Sequence, residues 1–540
     1  MTRIKYLLLS LLSALLLSLP FFEQCSGLLL LIAFVPLLMV EADLGAKGKK
    51  CAWQWAFLTF VVWNLTTTYW IMNATFWGMV GAVVATAALM TFVFWLFTVV
   101  KRHSTAALGY VAFVAFWIMW EHFFLNAEIS WPWLTLGNGL SKDIALIQWY
   151  ELTGALGGSC WVLVANVLIF YLLKQLTSPS SPQKNKPQKS LFIVFALWLI
   201  IPIIGSVARF CTYTTPAGEP CKVAVLQPNI DPFNDKFDGV SVQQQLNILL
   251  QLADSVVDST TQYVIAPETA LHKTWENRIN SNASIEQIKN FCQQHPQIKF
   301  VTGATTMYEY ADGDTISYTA RSFIDDKQHF YDIYNSALQI DTGASVGIYH
   351  KSKLVVGVEM LPYPKYLRFL DKWAIDLGGS AGGLGTQKER TVFYNPDSAY
   401  RVGVAICYES VYGEFCTQYV QKGANLLFII TNDGWWRNTP GHRQHLNYAR
   451  LRAIETRRDL ARSANTGISA IINQRGQILH RTQWWTKDAF AATLTTNAAI
   501  TPYVRYGDWL AILAGLVALM TIGITIAKRK FFKSKNNPQG

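Results

Sequence analysis

Charge is the first thing this chain is short of. Only 15% of its 540 residues are Asp, Glu, Lys or Arg, where an ordinary globular domain carries about 25%. The charge that is present leans one way, with 46 Lys and Arg against 35 Asp and Glu, a formal +11. Cysteine pairs at CxxC spacing are also absent, although there are eight cysteines. That gives no support to a zinc ribbon or a thioredoxin-like redox motif. The glycine-rich stretch GGSAGGLG, 378–385, lacks the GK[ST] of a phosphate loop and reads as a surface loop. In place of charge the chain has 51% hydrophobic residues, with 20 Trp and 30 Phe. Such a composition points to a membrane protein, and the length to at least two structural units.

Apolar runs long enough to span a bilayer as helices lie near 6–22, 25–41, 53–72, 76–100, 105–125, 158–174, 189–207 and 508–526. The first has the basic start of a signal peptide, but Phe22, Glu23 and Gln24 before Cys25 do not suit lipoprotein-type cleavage, so an uncleaved span is expected. Basic residues then decide between two meanings of the net charge. Arg3 and Lys5, Lys47 to Lys50, Lys101 and Arg102, Lys174 to Lys189, and Lys528 to Lys535 fall in alternate loops. Of the loops between them, Glu23–Gly27 and Asn73–Thr75 carry no Lys or Arg, and 126–157 carries only Lys142. This is the positive-inside pattern, and it makes nucleic acid the weaker explanation of the charge. It predicts eight spans with both termini cytoplasmic, and an external domain between the seventh and eighth. The expected divisions are 1–207, 208–505 and 506–540. Residues 175–188 read as a polar Ser/Pro/Lys linker. The loop 126–157, with Trp131, Trp133 and Trp149, could lie on the bilayer surface or pack on neighbouring helices. Cys211 and Cys221 flank a short loop and could pair in an oxidising compartment.

The segment 208–505 changes pattern. Short apolar runs that read as strands, 222–230, 263–268, 300–307, 336–340, 402–409 and 425–433, alternate with helical spacing over 242–257, 411–422 and 442–458. A hairpin is expected over 467–479, turning at Arg475-Gly476. Interleaved strands and helices imply α/β layers, with ligands bound at the carboxyl ends of strands.

Three segments at such ends carry chemistry: APET with Glu268, YHKSKLVVGVE with Lys351, Lys353 and Glu359, and ICYES with Cys407. Singly, each has a bland reading; a cysteine closing an apolar strand is usually a small buried hydrophobe. Together they form a nucleophile with its activators. A thiol needs a base or a positive neighbour, a carboxylate can take its proton, and a lysine can stabilise an oxyanion. His442 and His445 open a helix without a neighbouring carboxylate in sequence, and no metal site is expected.

Glu, Lys and Cys in this order, in PET, YxKxxLV and ICYE contexts, resemble the nitrilase superfamily. With the eight runs, and with NDGWW (432–436), Gln444-His445, ARLRAIETRR (449–458) and ANTGISAIINQRG (464–476), the chain resembles its membrane-embedded branch, the apolipoprotein N-acyltransferases. The resemblance implies an αββα sandwich inserted between the seventh and eighth spans. Carried over by position, it implies Glu268 as general base, Lys351 as oxyanion-stabilising lysine, Cys407 as nucleophile and Glu359 as a supporting carboxylate. Asn335, Tyr408, Glu409, Trp435 and Trp436 fall at positions near the site or its entrance. It implies no cofactor, and a monomer in the bacterial inner membrane with its catalytic domain periplasmic. The acyl donor would be a phospholipid and the acceptor a diacylglyceryl-modified apolipoprotein. The chain departs from the family in reading LVVGVE where LVPFGE is usual, and Ala266 stands where Trp often precedes PET. A membrane-tethered amidase acting on a small soluble substrate is the alternative for the same triad.

Overall fold

The computed structural model describes residues 1–540 apart from 178–184, 235–238, 361–362, 364–382, 395–397 and 536–540. The described chain divides into two compact units: Met1–Met72 with Phe76–Thr212 and Tyr506–Gly540, and Asn73–Thr75 with Tyr213–Arg505.

The first unit is all helix. Seven helices among the described residues are long and apolar enough to cross a membrane: Arg3–Phe21, Gly27–Ala46, Phe76–His103, Ala106–Asn126, Tyr150–Leu176, Lys189–Thr212 and Trp509–Arg529. The remaining expected run, 53–72, forms a helix over Ala52–Thr68 that gives way to a 3-10 turn at Tyr69–Asn73. The sixth run begins earlier than expected, at Tyr150, across a kink at Gly154, whose φ is +61°. The expected linker 175–188 lies partly outside the described residues, and its last residues already belong to the helix that starts at Asn185. Of the two readings of the loop 126–157, its burial favours packing. Trp133 is fully buried, stacked on Trp131 at 5.3 Å and against Trp70 at 4.9 Å, and Leu136 and Leu140 are also buried. All eight cysteines are free, so Cys211 and Cys221 are not paired; Cys221 is instead buried in a strand. The expected glycine-rich loop 378–385 lies largely outside the described residues.

The second unit is a layered α/β sandwich. Its first sheet takes β1 (Pro220–Gln227), β2 (Thr261–Ile265), β3 (Leu271–Trp275), β4 (Lys299–Glu309), β5 (Arg321–Ser322), β6 (Phe330–Ile340) and β7 (Gly347–His350). Its second sheet takes β8 (Val392–Tyr394), β9 (Arg401–Ile406), β10 (Leu426–Thr431), β11 (Leu460–Ala464), β12 (Ala470–Ile472) and β13 (Ile478–Arg481). The chain then returns to the first sheet with β14 (Asp488–Thr495) beside β1. The spatial orders are β14-β1-β2-β4-β6-β5, with β3 on β4 and β7 on β6, and β13-β12-β11-β10-β9-β8. Strands β1, β2 and β4 are parallel, as are β9, β10 and β11. Strands buried on both faces need continuous apolar runs, and β10, LLFIIT, is buried at every position.

Helices cover the outer faces. Val242–Asp254 starts at a capping box of Ser241 and Gln244 and buries Leu246, Leu249 and Ala253. Ala283–Gln294 buries Ile285, Ile288, Phe291 and Cys292 against the same side of the first sheet. Gly413–Gln421 and Pro440–Thr456 belong to the second sheet's side. Between the sheets, the Ser463 hydroxyl of β11 donates to the Leu226 carbonyl of β1 at 2.7 Å.

Candidate active site

The carboxyl ends of β2 and β9, the end of β7 and the middle of β6 converge on one buried cluster. Glu268 stands three residues past β2, in a turn that the next residue, Thr269, enters at φ +50°. This turn packs on β4 at Gly303. A Cβ there would come within 2.5 Å of the Glu268 Cα, so the approach requires glycine. The Lys351 backbone N–H, just past β7, donates to the Asn335 carbonyl on β6 at 2.7 Å.

The side chains then meet. Lys351 Nζ lies 3.0 Å from Glu268 Oε1 and 2.9 Å from Glu359 Oε1, and is 1% exposed. Asn335 Nδ2 donates to the same two oxygens, at 2.8 Å and 3.0 Å. The remaining carboxylate oxygens take backbone donors: the Asn432 N–H on Glu268 Oε2 at 3.0 Å, and the Val355 N–H on Glu359 Oε2 at 2.8 Å. An ion pair this deep survives only when its remaining lone pairs are satisfied, as they are here. Burial alone would lower Lys351, but the carboxylates of Glu268 and Glu359 hold it well above the ordinary lysine value.

The departure LVVGVE does not displace Glu359. The Glu359 and Met360 N–H groups both reach the Val355 carbonyl, at 2.9 Å and 3.3 Å, closing a tight turn. Gly357 takes φ +81° there, which only glycine adopts freely. Lys353, the competing lysine, stands over the ring of Tyr412 with Nζ 5.0 Å from its centroid.

Cys407 terminates β9 at φ +51° and opens a 3-10 turn, Cys407–Val411. The regular helix starts only at Gly413, so a single 3-10 turn rather than an α-helix follows the thiol. A left-handed non-glycine residue costs about 1–3 kcal/mol and persists only where its surroundings impose it. The Cys407 carbonyl accepts from Ser410 Oγ at 2.7 Å and from His445 Nε2 at 3.1 Å. Burial pushes the thiol well up; the negative charge of Glu268 adds to that and the ammonium of Lys351 opposes it. The resting sulfur is therefore a protonated thiol.

Two further features surround Cys407. Glu409, fully buried, accepts from Tyr349 Oη and the Ser352 N–H at Oε1, each at 2.6 Å, and from the Ile406 N–H at Oε2 at 2.8 Å. It ties the residues flanking Lys351 to the residue before Cys407. Burial raises its carboxyl above the ordinary range despite these bonds and the charge of Arg390. The sequence offered Glu409 only as a residue following the nucleophile, and did not offer Arg390 at all. The second feature is a buried cluster of Asp433, His445 and Arg462. Arg462 Nη2 donates to Asp433 Oδ2 at 2.6 Å, Thr431 Oγ1 to Asp433 Oδ1 at 2.7 Å, and His445 Nδ1 lies 3.0 Å from Asp433 Oδ1. Burial alone would raise Asp433, but Arg462 and His445 hold it far below the carboxylate range. NDG at a strand end and the pair Gln444-His445 were its traces in sequence; the partner Arg462 lies 17 residues beyond His445.

The aromatic positions stand near this cluster. Trp436 meets the His445 ring edge-on at 5.5 Å, Trp435 meets Phe233 at 5.3 Å, and Tyr408 meets Tyr412 at 5.2 Å. His442, also fully buried, stacks on Trp484 at 3.9 Å.

Residues 222–501, over half of the chain, match the carbon-nitrogen hydrolase family model. The chain belongs to the carbon-nitrogen hydrolase (nitrilase) family, in its apolipoprotein N-acyltransferase branch. Residues 13–168 match the apolipoprotein N-acyltransferase N-terminal domain. An apolipoprotein N-acyltransferase of Chlorobaculum tepidum is 27% identical, over 92% of this chain and 92% of its own. That of Thermotoga maritima is 25% identical, over 96% and 93%. Among solved structures, an amidase from Nesterenkonia sp. aligns with 53% of this chain and 95% of its own, at 15% identity and a TM-score of 0.34. The carbon-nitrogen hydrolase match spans the sandwich that holds Glu268, Lys351 and Cys407, and the N-terminal match falls within the helical unit.

Proposed function

We propose that this enzyme moves a fatty acyl chain from a membrane phospholipid to the α-amine of the N-terminal diacylglyceryl-cysteine of bacterial apolipoproteins, through a thioester on Cys407. The observation that carries the reading is the buried Lys351 ammonium held between Glu268 and Glu359, beside a thiol that both Glu268 and Lys351 influence. In the first half-reaction Glu268 takes the thiol proton as the sulfur adds to the ester carbonyl. An ammonium has three hydrogens. Two are engaged by the carboxylates, and the third is available to the developing oxyanion. Collapse expels the lysophospholipid alkoxide, which recovers the proton from Glu268, and leaves the thioester. In the second, the lipoprotein amine adds to the thioester, Glu268 takes an amine proton, and the Cys407 thiolate leaves and is reprotonated. Asn335 and Glu359 hold Glu268 and Lys351 in place, and Trp435 and Trp436 border the entrance.

The same reading takes the chain as a monomer crossing the inner membrane eight times, counting Ala52–Thr68 as a span. Both termini are cytoplasmic and the sandwich is periplasmic. Both substrates are lipids anchored by about 0.8 kcal/mol per buried methylene, so an enzyme anchored in the same bilayer need not extract them. The relatives' names and the alternating basic loops support this assignment. The test is mass spectrometry of lipoprotein N-termini in cells depleted of the native activity and supplied with this chain or its Cys407→Ala variant. N-acylation restored by the wild type and not by the variant is expected, with labelled fatty acid trapped on Cys407. Release of free fatty acid without amide formation would make the chain a hydrolase instead.

A further inference from the structure

Cys407 sits in an unfavourable backbone conformation, at φ +51°, and something must hold it there. Its carbonyl is gripped by two donors, Ser410 Oγ and His445 Nε2. A carbonyl can only accept and the Ser410 hydroxyl spends its hydrogen on that carbonyl, so His445 carries a hydrogen on Nε2, shared between the carbonyl and Ser410 Oγ, which lies 2.9 Å away. The other ring nitrogen, Nδ1, faces Asp433 Oδ1 and Arg462 Nη2, each at 3.0 Å. Trp436 closes one edge of the ring. His445 and Asp433 and Arg462 are all fully buried, so the imidazole is fixed in orientation by a charged pair that cannot swing into solvent. The thiol lies close enough to this cluster to feel the charge of Asp433.

We propose that His445, oriented by Asp433 and Arg462, is a positioning residue for the nucleophile: its hydrogen bond to the Cys407 carbonyl keeps the backbone in the turn that directs Sγ toward Glu268 and Lys351. The backbone dihedrals of Cys407 set where its Cβ–Sγ bond can point, so a relaxed turn carries the sulfur away from its base. A misplacement of about 1 Å costs on the order of a hundredfold in rate. This inference rests on Cys407 being the nucleophile of the proposed reaction.

The test uses the full-length protein in detergent and follows iodoacetamide alkylation of Cys407 at neutral pH, by mass spectrometry of its peptide. Alkylation needs the same proton transfer to Glu268 but no lipid substrate. In His445→Ala, alkylation is expected to slow at least tenfold. His445→Gln, whose amide N–H reaches the place of Nε2, is expected to stay within about threefold of wild type; a role in packing alone predicts no such rescue. Ser410→Ala, which removes one atom and with it both the other donor to the carbonyl and the contact with His445 Nε2, serves if His445→Ala does not fold, and is expected to slow alkylation severalfold. An unchanged rate in the folded His445→Ala or Ser410→Ala protein overturns the inference, as does a His445→Gln rate that falls as far as that of the Ala variant. Wild-type Cys407 that resists alkylation overturns the nucleophile reading itself, and the inference with it.

Discussion

Glu409→Gln separates holding the site together from holding the fold together. The ionised carboxylate accepts three short hydrogen bonds, from Tyr349, Ser352 and Ile406. Glu409→Ala would strand all three buried donors, at about 1–3 kcal/mol each. That sum rivals the whole stability of a domain, about 5–15 kcal/mol, so this variant would report only unfolding. Gln keeps the shape and one acceptor oxygen. With the carbonyl toward Tyr349 and Ser352, the amide NH2 meets the Ile406 N–H, donor against donor. That contact costs about 1–3 kcal/mol, while the loss of a buried charge is a gain, since burial already holds the Glu409 carboxyl above its ordinary range. The two effects oppose each other in stability but not in geometry. The broken bond is the one to the residue before Cys407, while those beside Lys351 survive. Glu409→Gln is therefore expected to melt within a few degrees of wild type, yet to form thioester from labelled phospholipid at least tenfold more slowly. A variant that forms thioester at the wild-type rate would refute the idea that Glu409 sets the spacing of Lys351 and Cys407.

Other substitutions test the same cluster. Lys351→Met leaves Glu268 and Glu359 facing one another without the cation between them, and thioester formation should fall about 10²–10³-fold, the scale of losing one oxyanion donor. Lys351→Arg should not rescue it, because a planar guanidinium cannot occupy the place of a compact ammonium; a stopped-flow or quenched assay of labelled-acyl transfer reads both. Asn335→Leu removes the donor shared by Glu268 and Glu359 and should lower the acylation rate tenfold or more without blocking expression. Asp459 gives a pH signature. Burial raises its carboxyl from the ordinary 3.8 to about 6, although the Gln474 and Thr495 N–H groups donate to it. A carboxyl raised in the folded state contributes stability that is present below its unfolded value and lost as pH rises through the folded one. At about 1.4 kcal/mol per pH unit, up to ~3 kcal/mol disappears between pH 4 and 7. Asp459→Asn should flatten the melting temperature against pH over that window; equal slopes in both proteins would show that Asp459 is not the group responsible.

The legible parts of the molecule were those written in local pattern. Strand β10 is a continuous apolar run ending in Asn432 and Asp433, and the helix Val242–Asp254 announces itself by its spacing. Glu268 and Cys407 stood out as candidates because a polar residue ending an apolar strand is conspicuous. Strands β3, β5, β7, β8, β11 and β14 were missed, and three of them show the physical reason. β3, LHKTW, alternates too weakly to declare a buried face, with only Leu271 and Thr274 buried. β7 is four residues long. β11, LARSA, is buried throughout, yet it carries Arg462 and Ser463, which are tolerated there only because Asp433 and the Leu226 carbonyl receive them.

That last strand explains why the cluster beneath Cys407 was hidden in the sequence. Read singly, Arg462 argues against a buried strand, Asp433 looks like a residue of a turn, and His445 looks like a helix-face histidine with no carboxylate near it in sequence. Each identification fails because its partner lies 12 to 29 residues away. Brought together, the three remove one another's cost of burial: the carboxylate compensates the guanidinium, and the imidazole takes its orientation from both. Parallel pairing does the assembling. β10 lies between β9 and β11, with Ile430 beside Ile406 and Ser463. Cys407, Thr431 and Ala464 therefore leave the sheet at the same level, and Asp433 and Arg462 are carried beneath the turn at Cys407. A register slip of one residue would reverse the facing of every side chain on a strand. It would leave Arg462 buried without Asp433 and Cys407 without the hydrogen bond that holds its turn. The sheet register of β9, β10 and β11 is thus set by the same contacts that build the site, which is why core and chemistry in this half of the sandwich cannot be varied independently.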